Sequence, residues 1–283
     1  MKLFYGLLCL CLLLGCAVPS EPTYSVENLS QSLEKILQEE YHIPIVSKLT
    51  GQTLWIYLPV EEEIFIESDN PQEYAKLFEV KSTEGILKEE ILDVSYNIQE
   101  IPEAKEKQDK KFNPEVSDKI NKVLRSVRRV LFSLKHDSNG PKFFVIATSD
   151  IKNGIDIINI TYIDDLRKAF YEIISWTEYQ HRSVEDIKLS PESIGDKEGK
   201  HIEFRDIDFK EFLVEQIQQR VRSKFSRPEV KKDADIDKEV LKTIRNVLEI
   251  YKVDDFLLVS LKNTHTGNKI TLSKAAILEE AKE

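Results

Sequence analysis

Thiols and glycines are scarce in this 283-residue chain, which has three cysteines and nine glycines. Cys9, Cys11 and Cys16 all stand near the amino terminus, so a chain cut ahead of Cys16 would keep one thiol and form no intramolecular disulfide. There is no Gly-x-Ser-x-Gly elbow, no phosphate-cradling glycine loop, no Cys-x-x-Cys and no His-Glu-x-x-His. These absences remove the motif-borne hydrolase, nucleotide, redox and zinc-protease readings. Carboxylate-based catalysis, which leaves little trace in a sequence, stays open. A long apolar span is also missing: the uncharged run Leu3–Leu14 falls short of the about 20 residues a bilayer helix needs, and Pro19, Glu21 and Pro22 follow it.

What stands there instead is a signal segment. Lys2 precedes the apolar run, and Leu13-Leu14-Gly15-Cys16 closes it. This tetrad resembles the lipobox of bacterial lipoproteins, with an aliphatic residue three places before the cysteine and a small residue directly before it. The resemblance covers roughly the first 20 residues. It implies diacylglycerol on the Cys16 thiol, cleavage on its amino side and often further acylation. Two or more chains hold a protein stably where one holds it marginally. The expected address is the cell envelope, with the membrane as partner through lipid on Cys16. Ala17, in place of aspartate, favours the outer membrane facing the periplasm in a diderm organism.

Loss of residues 1–15 removes one positive charge, Lys2, and moves the formal charge from -10 to -11. An acidic, charge-rich surface disfavours nucleic acid, so no nucleic-acid partner is expected. Apolar residues at 41% suffice for a packed core.

Hydrophobic spacing divides the chain into an α+β protein of three helix-plus-β-hairpin units joined by charged linkers. After the signal peptide (1–15) and a lipidated tether (16–28), the first unit covers 29–100. Leu29, Leu33, Ile36 and Leu37 share a helical face behind Asn28 as cap, and a hairpin turns at Gly51. The second covers 113–182. Asn113-Pro114 opens a helix with the stripe Ile120, Val123, Leu124, Val127, Val130, Leu131 and Leu134, and Asn153-Gly154 reads as a tight hairpin turn. A further helix carries Leu166, Phe170, Ile173 and Ile174. The third unit covers 201–283, with helices on Phe209–Phe225 and Ile236–Leu248 and a hairpin turning at Gly267. Asp208 with Glu211 suggests a capping box. With Ile202-Glu203-Phe204 as a strand, this unit is similar in element order, and in no motif, to POTRA domains. Residues 101–112 and 183–200 read as exposed linkers.

Chemistry-bearing constellations are few. Glu178 and His181 share a helix face but lack the second pair a di-metal bundle requires, so no metal and no cofactor is expected. Glu61-Glu62-Glu63 and Asp164-Asp165 read as solvated faces or helix starts. Trp55, Tyr57, Tyr162, Trp176 and Tyr179 read as core. One basic element stands out in an acidic chain: the helix over 119–135, with Lys122, Arg125, Arg128 and Arg129 as candidate contacts to an anionic surface, set against pairing within the fold. The expectation is a non-catalytic lipoprotein that binds an envelope protein or another envelope component; the alternative is an envelope hydrolase with a carboxylate-based site.

Overall fold

The computed structural model describes residues 24–134, 140–227 and 230–279, so Cys16 and the signal segment lie outside the described residues. The chain is α+β, built on two sheets with the same pairing scheme. In the first, α1 (Leu29–Tyr41) leads into β1 (Val46–Thr50) and β2 (Thr53–Val60). Later α2 (Pro114–Phe132) leads into β5 (Phe143–Asp150) and β6 (Ile155–Tyr162). Each hairpin is antiparallel, and the two join through parallel β2 and β5; β7 (Val184–Leu189) then adds to β6 as the edge. A crossover carrying α2 is what parallel neighbours need.

The second sheet repeats this scheme with β3 (Phe65–Lys88), β4 (Ile91–Phe112), β8 (Leu258–Asn263) and β9 (Lys269–Ser273), where β4 and β8 are the parallel pair. Here α5 (Phe209–Ser226) and α6 (Ile236–Ile250) supply the helical layer. The β5–β6 and β8–β9 hairpins close with one turn design. The side chains of Asp150 and Asn263 accept the backbone N–H groups two and three residues on, and Gly154 and Gly267 return their N–H to the carbonyls of Asp150 and Asn263, each at 2.9 Å. The turn at Asn153-Gly154 therefore has four residues, not two. Gly154 takes positive φ (69°) and Asn153 does not, whereas a type I′ two-residue turn needs it at both positions.

Residues 101–112, expected as a linker, are the second half of β4. Together with the start of β3 they form a ribbon exposed on both faces, so no apolar alternation marks it. Opposite charges do the pairing, Lys76 with Glu106 at 2.6 Å and Lys111 with Asp69. The first half of β4 buries Leu92, Val94, Tyr96 and Ile98 in strict alternation. Residues 183–200 are likewise no plain linker, since β7 occupies their first half. Ile202-Glu203-Phe204 is not a strand, so the expected strand-helix-helix-strand-strand order lacks its first member, and the strand beside β8 is β4. Phe204 instead packs on Trp55 (centroids 5.8 Å), whose indole N–H donates to the Arg205 carbonyl.

Three clusters make the core. One lies between α1, α2 and the helical face of β2 and β5, with Leu29, Leu33, Ile36 and Leu37 all buried as their spacing required. The second fills the space between α5, α6 and the second sheet. The third, around Trp55, Tyr57, Phe143 and Phe212, covers the opposite face of the first sheet and brings α5 against it. Full burial of each such side chain is worth about 1.5–3 kcal/mol, and this joint core ties the two sheets together.

Local signals hold in part. Asn113 caps α2, accepting from Glu115 N at 3.0 Å with Pro114 in the first turn. Asn28 makes no cap bond and accepts from Ser25 N instead. Asp208 caps α5, but Glu211 pairs with Arg205 rather than closing a box. The helix expected through Ile174 stops earlier. It divides into α3 (Ile163–Phe170) and α4 (Trp176–Arg182), with Glu172 at φ 58° between them and Ile173 70% exposed.

Candidate binding cleft

Pairing within the fold was the expectation for the basic helix, over contact with an anionic surface, and two of its four named cations do pair within the fold. Lys122 pairs with Asp118 at 2.7 Å and Arg129 with Glu40 at 2.6 Å. Arg125 and Arg128 project elsewhere, into a cavity of about 1070 Å³ that α2 shares with α4, α5, α6 and the strands β5 to β7. Helical spacing explains the division: Val123, Val127, Val130 and Leu131 face the core, so positions 125 and 128 fall on one flank and 122 and 129 on the other.

Facing them are Arg220 and Lys224, whose separation of four puts them on one face of α5, Arg227 directly after that helix, and Lys242 of α6. Glu185 is the one carboxylate among the lining residues, against six arginine and lysine side chains. The floor is Ile146 and Thr148 of β5 with Ile157 and Asn159 of β6; Trp176 and His181 of α4 stand at the side. Some of the positive charge is neutralised locally. Lys224 is paired with Glu239, which holds the Glu239 carboxyl below its ordinary range. Arg220 donates to Gln216 and Asn246 at 3.3 and 3.0 Å, its nearest carboxylate being Glu178 at 3.8 Å. Burial lowers its guanidinium pKa, a sign that this charge lacks full compensation. Arg128 lies over the Phe170 ring at 5.2 Å. Arg125 and Lys242 are exposed and enter no ion pair among the described residues. The cleft thus concentrates positive charge in a chain of net charge -10, and between low-dielectric walls such a field is focused on whatever enters.

Glu178 and His181 do not act together: the Glu178 carboxylate accepts from Arg182 Nε at 2.8 Å. No cluster of three or more metal-ligating side chains occurs among the described residues. Asp165, expected at a solvated helix start, is 1% exposed and accepts from Arg182 (3.1 Å) and the Tyr251 hydroxyl (3.0 Å). Of the aromatic residues, Trp55, Tyr57 and Tyr179 are buried, Tyr162 is half-buried and Trp176 is 50% exposed.

A second polar constellation escaped sequence reasoning, because its members lie far apart in the chain. The His201 ring bridges Asp196 (Nδ1 to Oδ2, 2.6 Å) and Asp156 (Nε2 to Oδ2, 3.2 Å), while Ser149 Oγ donates to Asp156 Oδ1 at 2.5 Å. Ser149 is fully buried, so no substrate reaches its hydroxyl, which donates to a carboxylate and not to the imidazole. The group fastens the 196–204 segment to the sheet. Burial alone would raise the Asp196 carboxyl, but the His201 side chain and the N–H groups of His201 and Glu198 bring it down to about 2. For the cleft's far wall a signal was present, the spacing of Arg220 and Lys224; nothing in sequence placed it opposite Arg125.

The chain matches no family model, no curated protein and no solved structure.

Proposed function

We infer that this is a lipid-anchored envelope protein that acts by binding, without catalysis, and that an anionic ligand or acidic partner segment occupies the cleft. The observation that carries the reading is the charge of the cleft wall, six cations to one carboxylate, in an acidic chain. Charges set inward against the net charge of a molecule select a ligand of the opposite sign and speed its arrival. The alternative of a carboxylate-based hydrolase requires two convergent carboxylates, and Glu185 stands alone in this cavity. The anchor is supported by the Leu13-Leu14-Gly15-Cys16 tetrad. No helix among the described residues is long and apolar enough to cross a membrane.

Two measurements test this. Metabolic labelling with a clickable fatty acid should mark the native chain and not Cys16→Ser; equal label on both rejects the anchor. Retention of detergent-solubilised envelope material on the immobilised lipid-free chain should fall with added salt and fall again in the Arg125→Glu, Lys242→Glu double variant. Salt-insensitive retention, or retention unaffected by the double reversal, rejects the cleft.

A further inference from the structure

Beside the cleft lies a contiguous exposed surface of aromatic and aliphatic side chains. Between α3 and α4, Phe170, Tyr171, Ile173 and Trp176 are exposed by 42, 67, 70 and 50%. The chain is held open there by a turn in which Ile173 N donates to the Lys168 carbonyl at 2.8 Å, with Glu172 in the left-handed region. The rings are ordered against α2: Phe132 meets Phe170 edge-on at 4.8 Å and stacks on Tyr171 at 6.4 Å, and Arg128 covers the Phe170 face. Aromatic rings fringed by arginine are the composition that settles at the headgroup level of a bilayer.

The position of the amino-terminal chain says what would cover this surface. Tyr24 is paired with Leu134, and its N–H donates to the Ser133 carbonyl, directly after Phe132 at the end of α2. The chain that runs back to Cys16 therefore leaves the domain at the element on which the aromatic patch is built. Eight residue steps separate Cys16 from Tyr24 and can span at most about 28 Å. A lipid on Cys16 would keep this end of the domain within that reach of the bilayer.

We propose that Phe170, Tyr171, Ile173 and Trp176 form a membrane-resting face that seats the domain on the bilayer beside its anchor. This rests on the lipid-anchor reading for the direction of approach. The occupant is a lipid surface, with the rings in the interfacial layer and Arg125 and Arg128 near phosphate level. Seated this way, the cleft that Trp176, Arg125 and Arg128 line has its mouth next to the membrane.

The chain carries its own reporter. Of its two tryptophans Trp176 is exposed in the patch, while Trp55 is 5% exposed in the core. The chain from residue 16 onward retains every described element and can be held on vesicles of phosphatidylcholine and phosphatidylglycerol by an amino-terminal histidine tag and nickel-chelating lipid. This arm does not depend on acylation of Cys16. On such vesicles tryptophan emission should shift to the blue, become quenched by brominated acyl chains and lose accessibility to acrylamide. The Tyr171→Glu, Ile173→Glu double variant should lose these changes while keeping its melting temperature. Trp176 as accessible to acrylamide on vesicles as in solution overturns the proposal, as does insertion unaltered in the double variant. If fatty-acid labelling of Cys16 fails while Trp176 still inserts, the anchor reading falls and the membrane face stands; the converse removes the face and leaves the anchor.

Discussion

Two hairpins closed by the same turn, with the same glycine position, allow backbone handedness and steric contact to be separated. At Gly267 (φ 81°) an added Cβ would meet nothing within 4 Å, so Gly267→Ala is charged only with left-handed strain, about 1–2 kcal/mol. At Gly154 (φ 69°) the same Cβ would stand 3.0 Å from the Ser190 carbonyl oxygen and 3.3 Å from Pro191 Cα. Those are backbone atoms, and they cannot rotate away. Ser190 N donates to the Gly154 carbonyl at 2.7 Å and Gly195 N to the Ile151 carbonyl at 2.9 Å, so moving the segment strains bonds worth about 0.5–1.5 kcal/mol each. Gly154→Ala should then destabilise by about 2–4 kcal/mol, clearly more than Gly267→Ala, and Gly154→Val by more still. Urea denaturation followed by far-ultraviolet circular dichroism measures both, and fluorescence in a Trp176→Phe background reports separately on Trp55 in the first sheet. Equal losses for the two alanine variants would refute the argument, since they would mean that the 190–195 segment does not bear on the turn.

Asp196 links stability to acid. Its carboxyl is held at about 2, against an ordinary 3.8, so its contribution is fully present above pH 3.8 and is lost as the pH falls through 2. Asp196→Asn should lower stability at neutral pH by about 1–2 kcal/mol and flatten the stability profile between these two values; an unchanged acid limb in denaturant titrations at several pH values would show that the His201 bridge contributes nothing. The two flanks of the basic helix should also part company. Lys122→Glu with Arg129→Glu breaks exposed pairs worth about 0–1 kcal/mol each and should leave salt-sensitive envelope binding intact, whereas Arg125→Glu with Arg128→Glu should weaken binding at nearly unchanged melting temperature; equal binding loss in both pairs would place the contact on the whole helix rather than in the cleft.

What local periodicity controls was legible in the sequence. Leu29, Leu33, Ile36 and Leu37, the α2 stripe and the branched runs beside Gly51, Gly154 and Gly267 each choose helix or strand through side chains a few residues apart. The Asn113-Pro114 start is equally local. The Leu13-Leu14-Gly15-Cys16 tetrad is a local signal too, and it lies outside the described residues. Tertiary structure decided the rest, wherever an element lacks a one-sided apolar face or a site joins distant segments. The ribbon of β3 and β4 has water on both faces for half its length, so its pattern is charge complementarity between strands, which appears only when Lys76 meets Glu106. Phe170 and Ile173 fit a helical stripe by spacing, but the cleft beside them leaves that stripe uncovered, and the helix ends. The cleft itself sets Arg125 across from Arg220 and Lys242, residues about a hundred positions apart. Such proximity depends on how two sheets share the core around Phe212, a long-range packing choice that short-range spacing does not encode.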